Sequence, residues 1–184
     1  SIPEITLGYF TGDTPEKYIR KLGTGVYQEC NRQQYISSNF DDDDVLPPDN
    51  ELVTRQEIRL SPPNILITNY SMLEYLLVRP KDNAIINQDT LVDWSFMVLD
   101  EAHTYRGILA TEVSHLLKRL QTLANKTPQF ILTSATLGDN DDEKKNIVTF
   151  AENLTSATFS ENGIVYATRI VPSRYQIRHT IDPE

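Results

Sequence analysis

Phe96-Met97-Val98-Leu99-Asp100-Glu101-Ala102-His103 joins a short apolar run to an acidic, polar turn, and Phe130-Ile131-Leu132-Thr133-Ser134-Ala135-Thr136 repeats that arrangement further on. Each apolar run is bounded by polar residues and has the length of a buried strand. Between them Ile108, Leu109, Val113, Leu116, Leu117 and Leu120 recur at helical spacing. Strand, polar turn, helix and strand form the unit of a parallel α/β sheet, whose ligands collect at the carboxyl ends of the strands.

The same grammar extends towards the N-terminus. Asn64-Ile65-Leu66-Ile67-Thr68 predicts a buried strand, and residues 70–78 a helix with Met72, Leu73, Leu76 and Leu77 on its apolar face. Residues 52–60 predict a short helix ending before Ser61-Pro62-Pro63, because a residue ahead of proline avoids the helical region. Ile5-Thr6-Leu7-Gly8-Tyr9-Phe10 reads as a strand. Thr11-Gly12-Asp13-Thr14-Pro15 then reads as a turn, with Thr14 capping a helix over residues 17–22 that Gly23-Thr24-Gly25 stops. Residues 27–50 are polar and contain Asp41-Asp42-Asp43-Asp44 and Pro47-Pro48, which predicts an acidic, solvated loop or insertion without fixed structure. Towards the C-terminus a helix is expected over residues 143–154 and a last strand over 164–167, ahead of a polar tail. There is no internal repeat. The expected fold class is α/β: a mostly parallel sheet with helices on both faces.

Composition narrows the function classes. The 184 residues suffice for one domain with a real core, or for one piece of a larger protein. No apolar run approaches membrane-spanning length and no signal stretch opens the chain, so a soluble protein with no membrane partner is expected. Cys30 is the single cysteine, which excludes an internal disulfide and fits a reducing cytoplasm. A first residue of Ser rather than Met suggests trimming or a boundary inside a longer chain. The net charge of -9 argues against a broad nucleic-acid-coating surface, so any strand contact has to be local.

The two polar turns carry chemistry. A carboxylate at the end of a strand, such as Asp100, can hold the metal of a bound nucleoside triphosphate, and an adjacent one, Glu101, can orient a water for phosphoryl transfer. Thr68 and Asn69 stand at a strand-to-helix turn, where hydroxyl, amide and backbone N–H donors can hold a phosphate. Gly12 permits close backbone approach in the earlier loop. Plainer readings compete at each place. Asp100 and Glu101 are also placed to cap a helix starting near Thr104, and Thr68-Asn69 is an ordinary N-cap pair.

FMVLDEAH, residues 96–103, resembles motif II of superfamily 2 DEAD/DEAH-box helicases, and LTSATLGD, residues 132–139, resembles their motif III. Thr68-Asn69-Tyr70-Ser71-Met72-Leu73 lies where that family carries motif Ib. Tyr9-Phe10-Thr11-Gly12-Asp13 is similar to the glycine-containing loop before it. Tyr105-Arg106-Gly107 after DEAH is similar to the Lhr- and YprA-type bacterial helicases.

The resemblance implies a RecA-like, P-loop NTPase-type fold and an ATP-dependent helicase or translocase. It implies Asp100 as a largely water-mediated Mg2+ ligand, Glu101 as the residue that orients or deprotonates the attacking water, and His103 between nucleotide and motif III. Ser134, Ala135 and Thr136 would couple nucleotide state to domain movement. Thr11, Gly12, Asp13, Thr68, Asn69 and Arg106 would face a nucleic-acid strand, expected to be DNA; for Arg106 pairing with acidic residues is the alternative. ATP and Mg2+ are the implied cofactors of the intact protein, and a second RecA-like domain of the same parent chain is an implied partner.

The pattern G-x-x-x-x-G-K-[ST] is absent from the chain, and Gly23-x-Gly25 is no substitute. Residues 1–184 are therefore expected to be a partial first motor domain lacking its P-loop strand, inactive as an ATPase alone. In the family's sheet that strand lies beside the SAT strand, so an exposed apolar edge at residues 130–133 is expected to dimerise, rearrange or destabilise the fragment.

Two other classes compete. One is a carboxylate-histidine metal centre built from Asp100-x-x-His103 and Glu112-x-x-His115. The other is a non-catalytic interaction module that keeps a motor-like fold and docks through its acidic loop.

Overall fold

The short strand β1 (Leu7–Phe10) lies between β4 (Glu51–Leu52) and β5 (Ile65–Thr68), and both pairings are parallel. The computed structural model describes residues 5–23, 25–41, 43–86, 94–124, 127–135 and 140–166. Phe10 stands in register with Thr68, so the chain leaves both strands on the same side of the sheet. β6 (Phe96–Leu99) and β7 (Gln129–Leu132) form a second parallel pair, with Leu99 opposite Leu132. Helix α4 (Gly107–Leu123) makes the crossover between them. An antiparallel hairpin, β2 (Ile19–Lys21) with β3 (Tyr27–Glu29), stands apart. The expected class is found: strands mostly parallel, helices packed against them.

Period-two alternation decides which face is covered. Phe10, Leu99 and Phe130 point into a single core together with Ile58 of α2 (Arg55–Leu60), Met72 and Leu76 of α3 (Tyr70–Val78), Leu116 and Leu120 of α4, and Leu154 of α5 (Asp141–Thr155). Gly8 lets β1 approach α2: a Cβ there would lie 3.1 Å from Ile58 and Pro63. The alternate positions face outward, with Ile65 51%, Phe96 59%, Val98 59% and Ile131 42% exposed. The expected burial of the strand over residues 64–68 is not found: Leu66 and Thr68 are half-buried, and Asn64, Ile65 and Ile67 are exposed. Among the described residues, α2, α3, α4 and α5 contribute to one core.

Three expectations along the chain are corrected. Residues 19–21 form β2 rather than a helix, because Thr14 does not cap. Its buried hydroxyl donates to Tyr9 O (2.7 Å) and accepts from Thr11 N (2.9 Å), folding the turn back on β1, and Lys17 pairs with Glu29 across the hairpin (3.1 Å). Residues 27–50 are not without fixed structure: β3 is followed by α1 (Arg32–Asn39), whose start carries an Asn31–Gln34 capping box. α1 buries no residue. It is tied down instead by Arg32, which donates to Glu51 O (2.8 Å), Pro48 O (2.8 Å) and Tyr18 Oη (3.1 Å). Tyr18 in turn donates to Glu57 (2.6 Å), and burial, then that carboxylate, pushes its phenol up to about 12. Ile164 is extended, but residues 164–166 form no strand, and Ala167 lies outside the described residues.

Elsewhere the boundaries shift little. Thr54 and Glu57 form a capping box that starts α2 after β4, and α3 starts and ends where the apolar pattern puts it. No helix among the described residues is long and apolar enough to cross a membrane.

Candidate functional site

Asp100 follows the last residue of β6, and Thr133 the last residue of β7. The parallel ladder continues past the strands: Thr133 N donates to Leu99 O (3.0 Å) and Ala102 N donates to Thr133 O (2.8 Å). This backbone clasp brings the acidic turn and the Thr-Ser-Ala turn together. Across it the Thr133 hydroxyl donates to the Asp100 carboxylate and accepts from Glu101 N (3.1 Å).

Glu101 occupies the left-handed region at φ 49 and ψ 43, uncommon for a residue with a Cβ. Its carbonyl accepts from Thr104 N (2.9 Å) and Thr104 Oγ1 (2.8 Å), closing the 3-10 turn Ala102–Thr104. Ala102 is buried and anchors that turn to the core. His103 Nδ1 lies 3.1 Å from the Glu101 carboxylate and 3.1 Å from Ser134 Oγ. The capping alternative is not what these acids do: no side chain caps the 3-10 turn, and α4 starts later, after Arg106, without a side-chain cap.

Tyr105 closes the turn on its inner side. Tyr105 packs half-buried against the core; burial raises its phenol pKa, and the charges of Asp100 and Tyr70 add to the shift. Arg106 Nε donates to His103 O (2.9 Å), and no carboxylate pairs with Arg106 among the described residues.

The second group of expected residues meets at the ends of β1 and β5. Thr68 Oγ1 donates to Phe10 O (2.6 Å), and Asn69 caps α3 by accepting from Met72 N (2.9 Å). The loop of Thr11, Gly12 and Asp13 sits beside them, held by Arg55 Nη2, which donates to Thr11 O (2.7 Å) and Gly12 O (3.1 Å). Nothing lies within 4 Å of where a Gly12 Cβ would stand, so its backbone is open to approach. The plainer N-capping reading of Asn69 holds. The amide oxygen is committed to the helix, and the Thr68 proton to a strand carbonyl.

A cleft of about 840 Å³ runs along β7, bounded by His103, Arg106 and Ser134 on one side and by Ile147 and Phe150 of α5 on the other. Among the described residues β7 pairs with β6 alone, so its other edge borders this cleft. No group of three or more metal-ligating side chains occurs among the described residues; Glu112 and His115 lie exposed on α4.

Of the expected site residues, Asp100, Glu101, His103 and Ser134 are brought together, and Ala135 follows directly. Thr136 lies outside the described residues. Thr133 was missed, although it binds Asp100 directly. The signal available was a hydroxyl residue in the first position after a strand that pairs with the Asp100 strand.

Residues 20–144 match the DEAD/DEAH box helicase family. The chain is similar to Druantia protein DruE of Escherichia coli (strain UMEA 4076-1), 38% identical over 135 residues, which are 67% of this chain and 7% of that protein. It is also similar to the uncharacterized ATP-dependent helicase MJ1574 of Methanocaldococcus jannaschii (34% identity, 51% of this chain, 14% of that protein). The uncharacterized ATP-dependent helicase YprA of Bacillus subtilis (strain 168) is a further relative (32%, 46% and 11%). Among solved structures, that of Mycobacterium smegmatis helicase Lhr bound to ssDNA and AMP-PNP aligns with a TM-score of 0.48 at 21% identity, covering 79% of this chain and 14% of that one. The chain thus spans only 7% to 14% of the length of these proteins. With its acidic turn clasped to the Thr-Ser-Ala turn and most of its length matched, the chain belongs to the DEAD/DEAH box helicase family.

Proposed function

We propose that this chain is the later part of the first motor domain of a cytoplasmic, ATP-dependent helicase or translocase that acts on a single strand of DNA. The observation that carries the reading is the clasp between the two strand ends, which brings Asp100, Glu101, His103 and Ser134 together, with His103 Nδ1 3.1 Å from the Glu101 carboxylate and hydrogen-bonded to Ser134.

The donor set suits Mg2+. That ion keeps several waters and takes one or two carboxylates beside substrate phosphates, so it needs no protein cage. Asp100 offers a hard, exposed oxygen donor, and the described residues hold no three-ligand cluster to compete. Bound Mg2+ would neutralise charge developing on the phosphates. Asp100 would hold it, largely through water, while Glu101 orients and deprotonates the attacking water. His103, between Glu101 and Ser134, passes the state of the site to Ser134, Ala135 and Thr136, and so to a second motor domain. The phosphates would be cradled by a glycine-rich loop elsewhere in the parent polypeptide, since none occurs in these 184 residues.

The strand would run past the ends of β1 and β5. Because the Thr68 hydroxyl gives its proton to Phe10 O and the Asn69 amide oxygen caps α3, the phosphate donors there are Asn69 Nδ2, the N–H groups of the first turn of α3 and the backbone around Gly12. Thr11, Asp13, Thr68 and Asn69 shape that surface, and Arg106 adds a cation near the acidic turn. In the full-length polypeptide, strand-stimulated ATP hydrolysis that Glu101→Gln abolishes is the expected result. Hydrolysis unaffected by that substitution overturns the reading.

A further inference from the structure

We propose that Thr133 is a positioning residue for the metal-binding carboxylate, a role that rests on the reading of Asp100 given above. Its hydroxyl makes two contacts. It donates its single proton to Asp100 Oδ1, and a lone pair accepts from the N–H of Glu101. One atom therefore fixes the rotamer of the proposed ligand and the left-handed backbone of the neighbouring proposed base.

Three features separate this role from simple strand support. First, the backbone of Thr133 already makes both ladder bonds, donating from N to Leu99 O and accepting at O from Ala102 N, so the clasp survives without the hydroxyl. Second, the side chain is exposed at the end of β7 and fills no core position. Third, the bond direction matters. A carboxylate that accepts a proton from Thr133 at Oδ1 keeps its charge and leaves Oδ2 uncommitted among the described residues. A ligand carboxylate held by a neighbouring hydrogen-bond donor is more firmly oriented for its metal.

Removing the hydroxyl has two predictable effects. Asp100 gains rotameric freedom, and the N–H of Glu101 loses its partner at a backbone conformation that a side chain disfavours. Both act on metal affinity and on the geometry of hydrolysis, and neither touches the strand surface at β1 and β5.

The test uses the full-length polypeptide with Thr133→Val, Thr133→Ala, Thr133→Ser and Glu101→Gln. Mn2+ serves as the probe, its binding followed by electron paramagnetic resonance with a non-hydrolysable ATP analogue, beside the Mg2+ dependence of ATP hydrolysis. Thr133→Val is expected to weaken Mn2+ binding about tenfold or more and to raise the half-saturating Mg2+ concentration in parallel. Thr133→Ser restores both, because the hydroxyl returns. Should Thr133→Val fail to fold, Thr133→Ala carries the same expectation. Mn2+ affinity and Mg2+ dependence unchanged in the Val or Ala variant overturn the proposal. If Glu101→Gln abolishes turnover while Thr133→Val behaves as wild type, only the positioning role fails; if Glu101→Gln retains turnover, the hydrolytic reading itself fails.

Discussion

Ser134 Oγ and Glu101 Oε2 share one nitrogen of His103, each 3.1 Å from Nδ1. The Ser134 hydroxyl and Nδ1 are hydrogen-bonded, and a hydroxyl can either donate or accept, so the donor follows the imidazole tautomer. The tautomer of His103 therefore sets the direction of the Ser134–His103 bond. Ser134→Ala removes this response without touching Asp100 or Glu101. The variant of the full-length polypeptide is expected to keep ATP hydrolysis within about tenfold of wild type, since one neutral hydrogen bond is worth roughly 1 kcal/mol. It is expected to lose a larger share of strand displacement. Parallel measurement of the two activities checks this, and equal losses count against a coupling role.

The chain alone is expected to show no ATP turnover. In the proposed reading Asp100 and Glu101 would supply a metal ligand and a base, but phosphoryl transfer depends on positioning and charge stabilisation of the phosphates, which no glycine-lysine loop in this sequence provides. Purified 184-residue protein assayed for phosphate release with Mg2+ and ATP should match its Glu101→Gln variant. Turnover in the wild type that the variant lacks would show that the phosphates are held by other residues of this chain.

The sequence was legible where periodicity and chemistry coincided. Met72 and Leu76 mark the buried side of α3, and Leu116 and Leu120 that of α4, because a helix packing on a sheet repeats its apolar face at 3.6-residue spacing. The acidic turn was legible because charged residues stand directly after an apolar strand. What escaped were elements held by polar contacts. Helix α1 buries nothing and announces itself only through Asn31 and Gln34, while Arg32 fixes it by bonds to carbonyls of residues remote in sequence. Thr14 escaped for a related reason. Pro15 after Thr is a helix start in isolation, yet its hydroxyl is drawn to the Tyr9 carbonyl, a contact no local pattern contains.

Ile131, Phe96 and Val98 stand on the exposed face of β6 and β7, beside the edge of β7 that pairs with no strand among the described residues. An apolar strand with an unpaired edge is a template for association. The chain is expected to self-associate with concentration, and Ile131→Lys to reduce that association by placing a charge on the face. Size-exclusion chromatography with light scattering over a range of concentrations checks this. A monomer at every concentration for the wild type would mean that the edge is protected.

Arg59 holds two acids of different kinds, and the difference sets two stability effects. Nε donates to Asp82 Oδ1 (2.6 Å), whose carboxylate is fully buried, while Nη1 and Nη2 grip the half-exposed Glu16 at 2.5 Å and 3.2 Å. Arg59→Met leaves Asp82 buried without its counter-charge, and breaking such a pair costs about 3–5 kcal/mol. Urea unfolding at neutral pH measures that loss. Glu16→Gln, at a solvated pair, should cost about 1 kcal/mol or less. The Arg59 hydrogen bond holds the Glu16 carboxyl below its usual 4.5; partial burial opposes this, and the charges of Arg59 and Lys81 reinforce it. A folded-state pKa below the unfolded one means that the Glu16 contribution is complete above about 4.5 and disappears as pH falls through the folded value. Wild type should therefore lose stability on acidification through that window more steeply than Glu16→Gln. Identical acid limbs for the two proteins would show that the Arg59 grip on Glu16 adds nothing to folding.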